Sequence, residues 1–358
     1  MIRGQNIVEG NAIDETDMVF VPTAVAKKLA RSIAHAGDLV FPHRGAIGRV
    51  GLVSQEYLLS SSMMKLTVDS ELYDPRFFFY YFRGPGRQEL LARASTVGTP
   101  GIGQPLSSLR GIPVRFPQLS EQRAIAEVLE ALDHKIAAND KVLRVGDRLV
   151  RAMFDSLDDA STDGIPLSAV AENVRVHVDP SKVDPSVPYV GLEHVPRRSM
   201  WMSDIGAAGS VSSAKARFRT GDVLFGKLRP YFHKVVRADR DGVASTDILV
   251  VRAKDPVLGG FVLAAASSDT AIRATSAAVE GTRMPRTKWA DLGAVTVPWP
   301  GEAAAIEFSS QVAVLCDQAA TLQQESRVLA ETRDEFLPLL MSGKIRVHDA
   351  EKRVEEVL

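Results

Sequence analysis

Several things are scarce in this sequence, and each scarcity excludes a class of protein. One cysteine, Cys316, cannot form an internal disulfide, and the seven histidines have no Cys or His neighbours at metal-ligand spacing, so a structural metal is not expected. No run approaches the roughly 18 to 20 apolar residues of a membrane helix, and the N-terminus lacks the basic, apolar, small-residue order of a secretory leader. The expected location is cytoplasmic, with no membrane partner. An excess of one charge is also missing: 43 Lys plus Arg against 44 Asp plus Glu leave a net charge of −1, which as an average argues against a nucleic-acid partner. No Ser-His-Asp or Cys-His set, paired carboxylates or His-Glu-x-x-His helix can be placed on the elements of this sequence.

Two motifs resemble chemical sites and fail on inspection. Gly221-Asp222-Val223-Leu224-Phe225-Gly226-Lys227-Leu228 keeps the spacing of a phosphate-binding loop until Leu228, where a Ser or Thr should hold magnesium, and its Val-Leu-Phe interior favours strand. Asp184-Pro185-Ser186-Val187-Pro188-Tyr189 carries two residues too many for the Asp-Pro-Pro-Tyr motif of adenine methyltransferases, and no glycine-rich cofactor loop follows a strand. No cofactor is expected on this chain.

What the sequence does contain is an internal repeat. Gly37-Asp38-Leu39-Val40-Phe41 returns as Gly221-Asp222-Val223-Leu224-Phe225, and Ser61 to Leu66 returns as Ser245 to Val250, both offset by 184. Gly98-Thr99 matches Gly281-Thr282, and Ile112 to Pro117 matches Val295 to Pro300, offset by 183. Ile2 to Ile7 aligns with Val190 to Val195, which leaves Ile165 to Tyr189 without a counterpart, so the first module is expected to begin 25 residues late. Short strand-forming runs between Gly and Pro turns make each module an α+β globule. The Gly-Asp step itself reads as a turn entering a strand.

A long helical pattern follows each module. Ile125, Leu129, Leu132, Ile136, Leu143 and Val150 fall at heptad spacing, as do Phe308, Val312, Leu315, Ala319, Leu322, Leu329 and Phe336. Ser120, Glu121 and Gln122 supply a start for the first helix, and Ser342-Gly343 a stop for the second. Each helix should run about 40 residues, or about 60 Å. Asn139 and Gly146 interrupt the first seam, Ser326 and Arg333 the second, which is how coiled coils fix register. The helices should pair with each other. An antiparallel coiled coil, the arrangement expected, would place the modules at opposite ends, whereas parallel pairing would place them side by side. The expected segments are a first recognition module at 1–117 with a shortened front, a helix at 118–158, a second module at 159–301, a helix at 302–344 and a C-terminal tail at 345–358.

Charge resolves along the same boundaries. Lys plus Arg against Asp plus Glu is 13 to 10 in the first module, 6 to 8 in the first helix, 18 to 15 in the second module and 6 to 11 from 302 onward. Positive potential therefore sits on the modules, where phosphates could be met, although a solvated mixed surface accounts for it equally. Candidate DNA contacts follow the Gly-Asp steps: His43, Arg44 and Arg49 in the first module, and Lys227, Arg229, Tyr231, His233 and Lys234 in the second. Ser95 and Thr96, with Arg283, Arg286 and Lys288, form a further hydroxyl-rich and basic region, where backbone contacts to DNA and a loop capped by Ser and Thr fit equally well.

Pro117-Gln118-Leu119-Ser120-Glu121-Gln122-Arg123-Ala124-Ile125-Ala126, the closing Leu339-Leu340-Met341-Ser342-Gly343-Lys344-Ile345, and two variable modules alternating with two heptad helices resemble the specificity subunits of type I restriction-modification systems. The resemblance implies a non-catalytic subunit that reads a bipartite, asymmetric site in double-stranded DNA, with the helices setting the spacer. It also implies two modification subunits, which would carry S-adenosylmethionine and flip out the target adenine, and a restriction subunit where one exists. The alternative is a coiled-coil scaffold, or a relative that reads no sequence.

Overall fold

Each Gly-Asp step is a turn that launches a buried strand. Gly37 and Gly221 both lie at φ +90°, a conformation that strains any side chain. Asp38 accepts from His35 N at 2.9 Å and Asp222 from Arg219 N at 2.8 Å, closing the same turn. Asp38 also accepts from Thr67 Oγ1 at 2.5 Å, and Asp222 takes a bidentate pair from Arg252 at 2.7 Å. Both carboxylates are buried and fully engaged, which fits a structural role.

The computed structural model describes residues 1–358 apart from 9–12, 96–99, 161–163, 180–181, 203–204, 211–212, 280–283, 356 and 358. The chain divides into two units, Met1–Ile136 with Arg327–Leu358, and Ala137–Ser326. In the first, β1 (Leu39–Pro42) lies between β2 (Gly51–Leu52) and β3 (Met63–Leu66), antiparallel to both. Helix α1 (Pro75–Arg83) starts on Asp74, whose carboxylate accepts from Arg76 N, and buries five aromatic residues; Phe82 packs edge-on against Phe41 at 4.8 Å. Helix α2 (Leu119–Ala160) follows.

The second unit holds an antiparallel sheet of β4 (Ala171–Val174), β5 (Val223–Gly226), β6 (Val235–Arg237) and β7 (Ile248–Ala253), in the order β6-β5-β7-β4. A second, five-stranded sheet runs through Pro188–Val190, Lys215–Phe218 and Gly242–Ala244. Residues Val223 to Gly226, read above as a failed phosphate loop, are a central strand bonded on both sides, leaving no amides to cradle phosphate. Helix α3 (Gly259–Ala266) is apolar all round because it is covered on every side. Its Phe261 joins Phe154 and Phe308 in one aromatic cluster.

The repeat is visible bond for bond. Gly37 N donates to Val53 O and Gly221 N to Ala238 O; Ser60 N donates to Ile2 O and Ser245 N to Val190 O. The 3-10 turns at Gly4–Asn6 and Leu192–His194 are equivalent, each closed by the side chain of its last residue, Asn6 onto Arg3 N and His194 onto Gly191 N. One pairing made from sequence shifts by a residue. Pro42 opposes Met63 while Gly226 opposes Ile248, so β3 corresponds to β7 with an offset of 185, not 184. The extra residue lies in the turn around Pro230–Phe232. The first unit has three strands in this sheet where the second has four, and among its described residues nothing is equivalent to β4.

Helix α4 (Glu302–Met341) runs antiparallel to α2. Within the second unit Phe154 meets Phe308 and Asn139 meets Ser326, so sequence rises on one helix as it falls on the other. Asn139 Nδ2 reaches Glu325 at 2.7 Å and Ser326 Oγ at 3.2 Å, which satisfies the polar breaks in the two seams against each other. Gly146 lies beneath Trp201, whose indole N–H donates to Leu143 O at 2.8 Å. In the first unit Arg333 pairs with Asp133 at 2.8 Å. The stretch set apart above as a tail includes α5 (Val347–Glu355), with Ala350 and Val354 buried in the first unit's core.

Candidate nucleic-acid interface

Three segments meet at the end of β5, held by backbone bonds. Lys227 N donates to Asp247 O at 2.8 Å, Thr287 N to Lys227 O at 3.0 Å and Arg229 N to Pro285 O at 2.8 Å. The first unit repeats the frame: His43 N donates to Ser62 O at 2.9 Å, Ile102 N to His43 O at 3.0 Å and Gly45 N to Pro100 O at 2.9 Å. Even one side chain is replaced in kind, since Lys227 Nζ donates to Thr246 O at 2.6 Å and His43 Nε2 to Ser61 O at 2.9 Å. The positions match, but their residues do not. Lys227, Asp247 and Arg286 stand where the first unit has His43, Ser62 and Gly101.

In the second unit the frame opens into a cleft of about 570 Å³ lined by Arg175, His177, Lys227, Asp247, Arg286 and Lys288, among others. Burial holds the Lys227 ammonium pKa below its ordinary value; Arg286 and Arg175 push the same way, against Asp247. A crowd of cations around one carboxylate is a place where a phosphate relieves repulsion.

Residues 20–144 match the family model described as type I restriction modification DNA specificity domain. The specificity subunit of the type I restriction enzyme EcoDI from Escherichia coli is 32% identical over 117 residues, which are 32% of this chain and 26% of that protein. The stretch from 20 to 144 is therefore similar to a type I specificity domain, and the aligned part spans about a quarter of the E. coli subunit's length. The crystal structure of a type I S subunit from M. genitalium aligns over 86% of this chain and 83% of its own at a TM-score of 0.54 and 15% identity, a likeness of fold. The matched stretch runs from residue 20 of the first module into α2, and the internal repeat carries the first module's backbone plan into the second.

Around this repeated frame the expected contact residues fall into three groups. Arg44, Ser95, Arg229, Tyr231, Arg286 and Lys288 are exposed, and Lys227 is half-buried in the cleft. Arg49 and Lys234 stand at equivalent positions, each tied to the 3-10 turn of its module: Arg49 donates to Ile7 O at 2.8 Å and Lys234 to Leu192 O. Thr96 and Arg283 lie outside the described residues. His233 is a correction. Only 2% exposed, its Nε2 bonds Ser267 O at 2.8 Å and lies 3.2 Å from Arg151 Nη1, so it anchors the turn and cannot reach a ligand. Burial first, then Arg151, holds its pKa below the usual histidine value.

Sequence reasoning missed Arg175, His177 and Asp247 in the cleft, and Arg197, whose guanidinium lies 4.0 Å from the Phe232 ring centroid. The doublet Arg197-Arg198 was an available signal; Arg175 sits in the stretch that has no repeat partner. Among the described residues no group of three or more His, Cys, Asp or Glu is placed to hold a metal, and no helix is long and apolar enough to cross a membrane. Cys316 is buried in the α3–α4 core, and burial pushes its thiol pKa up to about 11, away from reactivity.

Proposed function

We propose that this chain is the DNA sequence-specificity subunit of a type I restriction-modification complex, each module reading one half of a bipartite, asymmetric site in double-stranded DNA. The observation that supports this most is the repeated backbone frame: the same bonds in both modules hold different side chains at matching positions beside exposed cations. A fixed frame with exchangeable side chains is what two different half-sites require, because phosphate contacts position the protein while base contacts specify the sequence. The chain contributes recognition and no catalysis. Two modification subunits supply S-adenosylmethionine and extrude the target adenine, and a restriction subunit, where one exists, adds translocation and cleavage. Mapping methylated adenines in the host genome with and without this chain tests the reading. One bipartite motif should vanish on deletion; an unchanged methylome overturns it.

A further inference from the structure

We propose that Asp247 and Arg286 together read a C·G base pair through its major-groove edge. This inference rests on the DNA-reading role above and assigns it to particular atoms. Among the described residues that line the second-module cleft, Asp247 is the one carboxylate amid the cations. Its side chain is 30% exposed, so it remains open to a ligand, while its backbone is fixed: its carbonyl accepts from Lys227 N at 2.8 Å and its N–H donates to Ser245 Oγ at 3.2 Å. A carboxylate so placed repels phosphate, so its natural partner is a donor on a base.

Arg286 Nη2 lies 3.1 Å from Asp247 Oδ1 and 3.3 Å from Oδ2. That contact orients the guanidinium beside the carboxylate through Nη2 alone, and a guanidinium carries five N–H donors. The arrangement sets an acceptor edge next to a donor edge. A C·G pair presents the complement in the major groove, the cytosine N4 amine as donor and guanine O6 and N7 as paired acceptors. An A·T pair offers an amine but no O6/N7 pair for a bidentate arginine. Both residues come from segments joined to Lys227 and Leu228 by backbone bonds, so the pair is organised before DNA arrives. The first module has Ser62 and Gly101 at these positions and cannot use the same contact, so the effect belongs to one half-site.

The test is methylome mapping of cells carrying this chain with its modification subunits, comparing wild type with Asp247→Asn and Arg286→Gln. The wild type should methylate a motif with a C·G pair in one half-site. Each variant should lose preference at that position by about 5-fold to 100-fold, leaving the other half-site unchanged. With purified complex, replacing that guanine by 7-deazaguanine should weaken wild-type binding and leave Arg286→Gln unaffected. Retention of the wild-type motif by both variants overturns the inference. So does an equal loss at every occurrence, which would make Asp247 a mere support for Arg286. A wild-type chain that directs no motif overturns the DNA-reading role itself, which separates the two failures.

Discussion

Lys288→Ala tests directly whether the second-module cleft meets phosphate. Lys288 is exposed, and its backbone N–H, bonded to Asp291 Oδ2 at 2.8 Å at the start of the next short helix, survives the substitution. Folding should therefore be untouched. If Arg175, Lys227 and Lys288 each neutralise one phosphate, counterion release gives this cleft a slope of about −2.7 in log affinity against log salt, at about 0.9 per contact. Raising salt fourfold would then weaken its share of binding about 40-fold in the wild type, and about 12-fold once Lys288 is gone and the slope is about −1.8. Fluorescence anisotropy with a labelled duplex, titrated at several salt concentrations on the assembled complex, reads the slope. Asp247→Asn should leave it unchanged. An unaltered slope in Lys288→Ala, or a loss confined to one DNA sequence, would refute the reasoning.

Asp133 accepts from Tyr80 at 2.9 Å and Arg333 at 2.8 Å, and it also pairs with Arg83. Asp133→Leu should cost about 3 to 5 kcal/mol in urea unfolding by leaving the buried Arg83 guanidinium without its carboxylate, while Arg333 keeps Asp334; also changing Arg83 to an apolar residue should recover most of that loss. A Cβ on Gly260 would lie 2.7 Å from Ser309 O, so Gly260→Ala should destabilise the second unit by about 1 to 3 kcal/mol by calorimetry. His233 has its folded pKa below that of the unfolded chain, so below about pH 6.5 the unfolded state binds the extra proton and stability falls as pH drops. His233→Asn, which suits the φ of +53° there, should flatten that decline in melting temperature between about pH 7 and pH 5.

The heptad helices and the Gly-Asp turns were legible because each depends on neighbours close in sequence. Asn139 and Ser326 could be named as seam breaks, though only the fold shows them bonded to each other. The misreading of His233 has the opposite origin. The groups that bury it, Arg151 and Ser267, lie 82 and 34 residues away, and nothing in its basic local setting announces them. The one-residue shift between β3 and β7 arose because the extra residue sits in a turn, where no periodicity marks it. Asp247 escaped notice because it stands in a run from Gly242 to Val251 that holds no Lys or Arg, and the Arg286 it meets lies 39 residues further along the chain.

The bonds joining the three cleft segments run almost wholly through the backbone, and this bears on how the protein is inherited as well as on how it binds. Substitutions at 227, 247 and 286, or at 43, 62 and 101, alter what is presented without removing what holds the presentation in place. If the modules read DNA as proposed, new target sites can arise by single codon changes in one half of the gene while the other half keeps its meaning. Lineages sharing this frame are free to diverge until little but the frame is common to them.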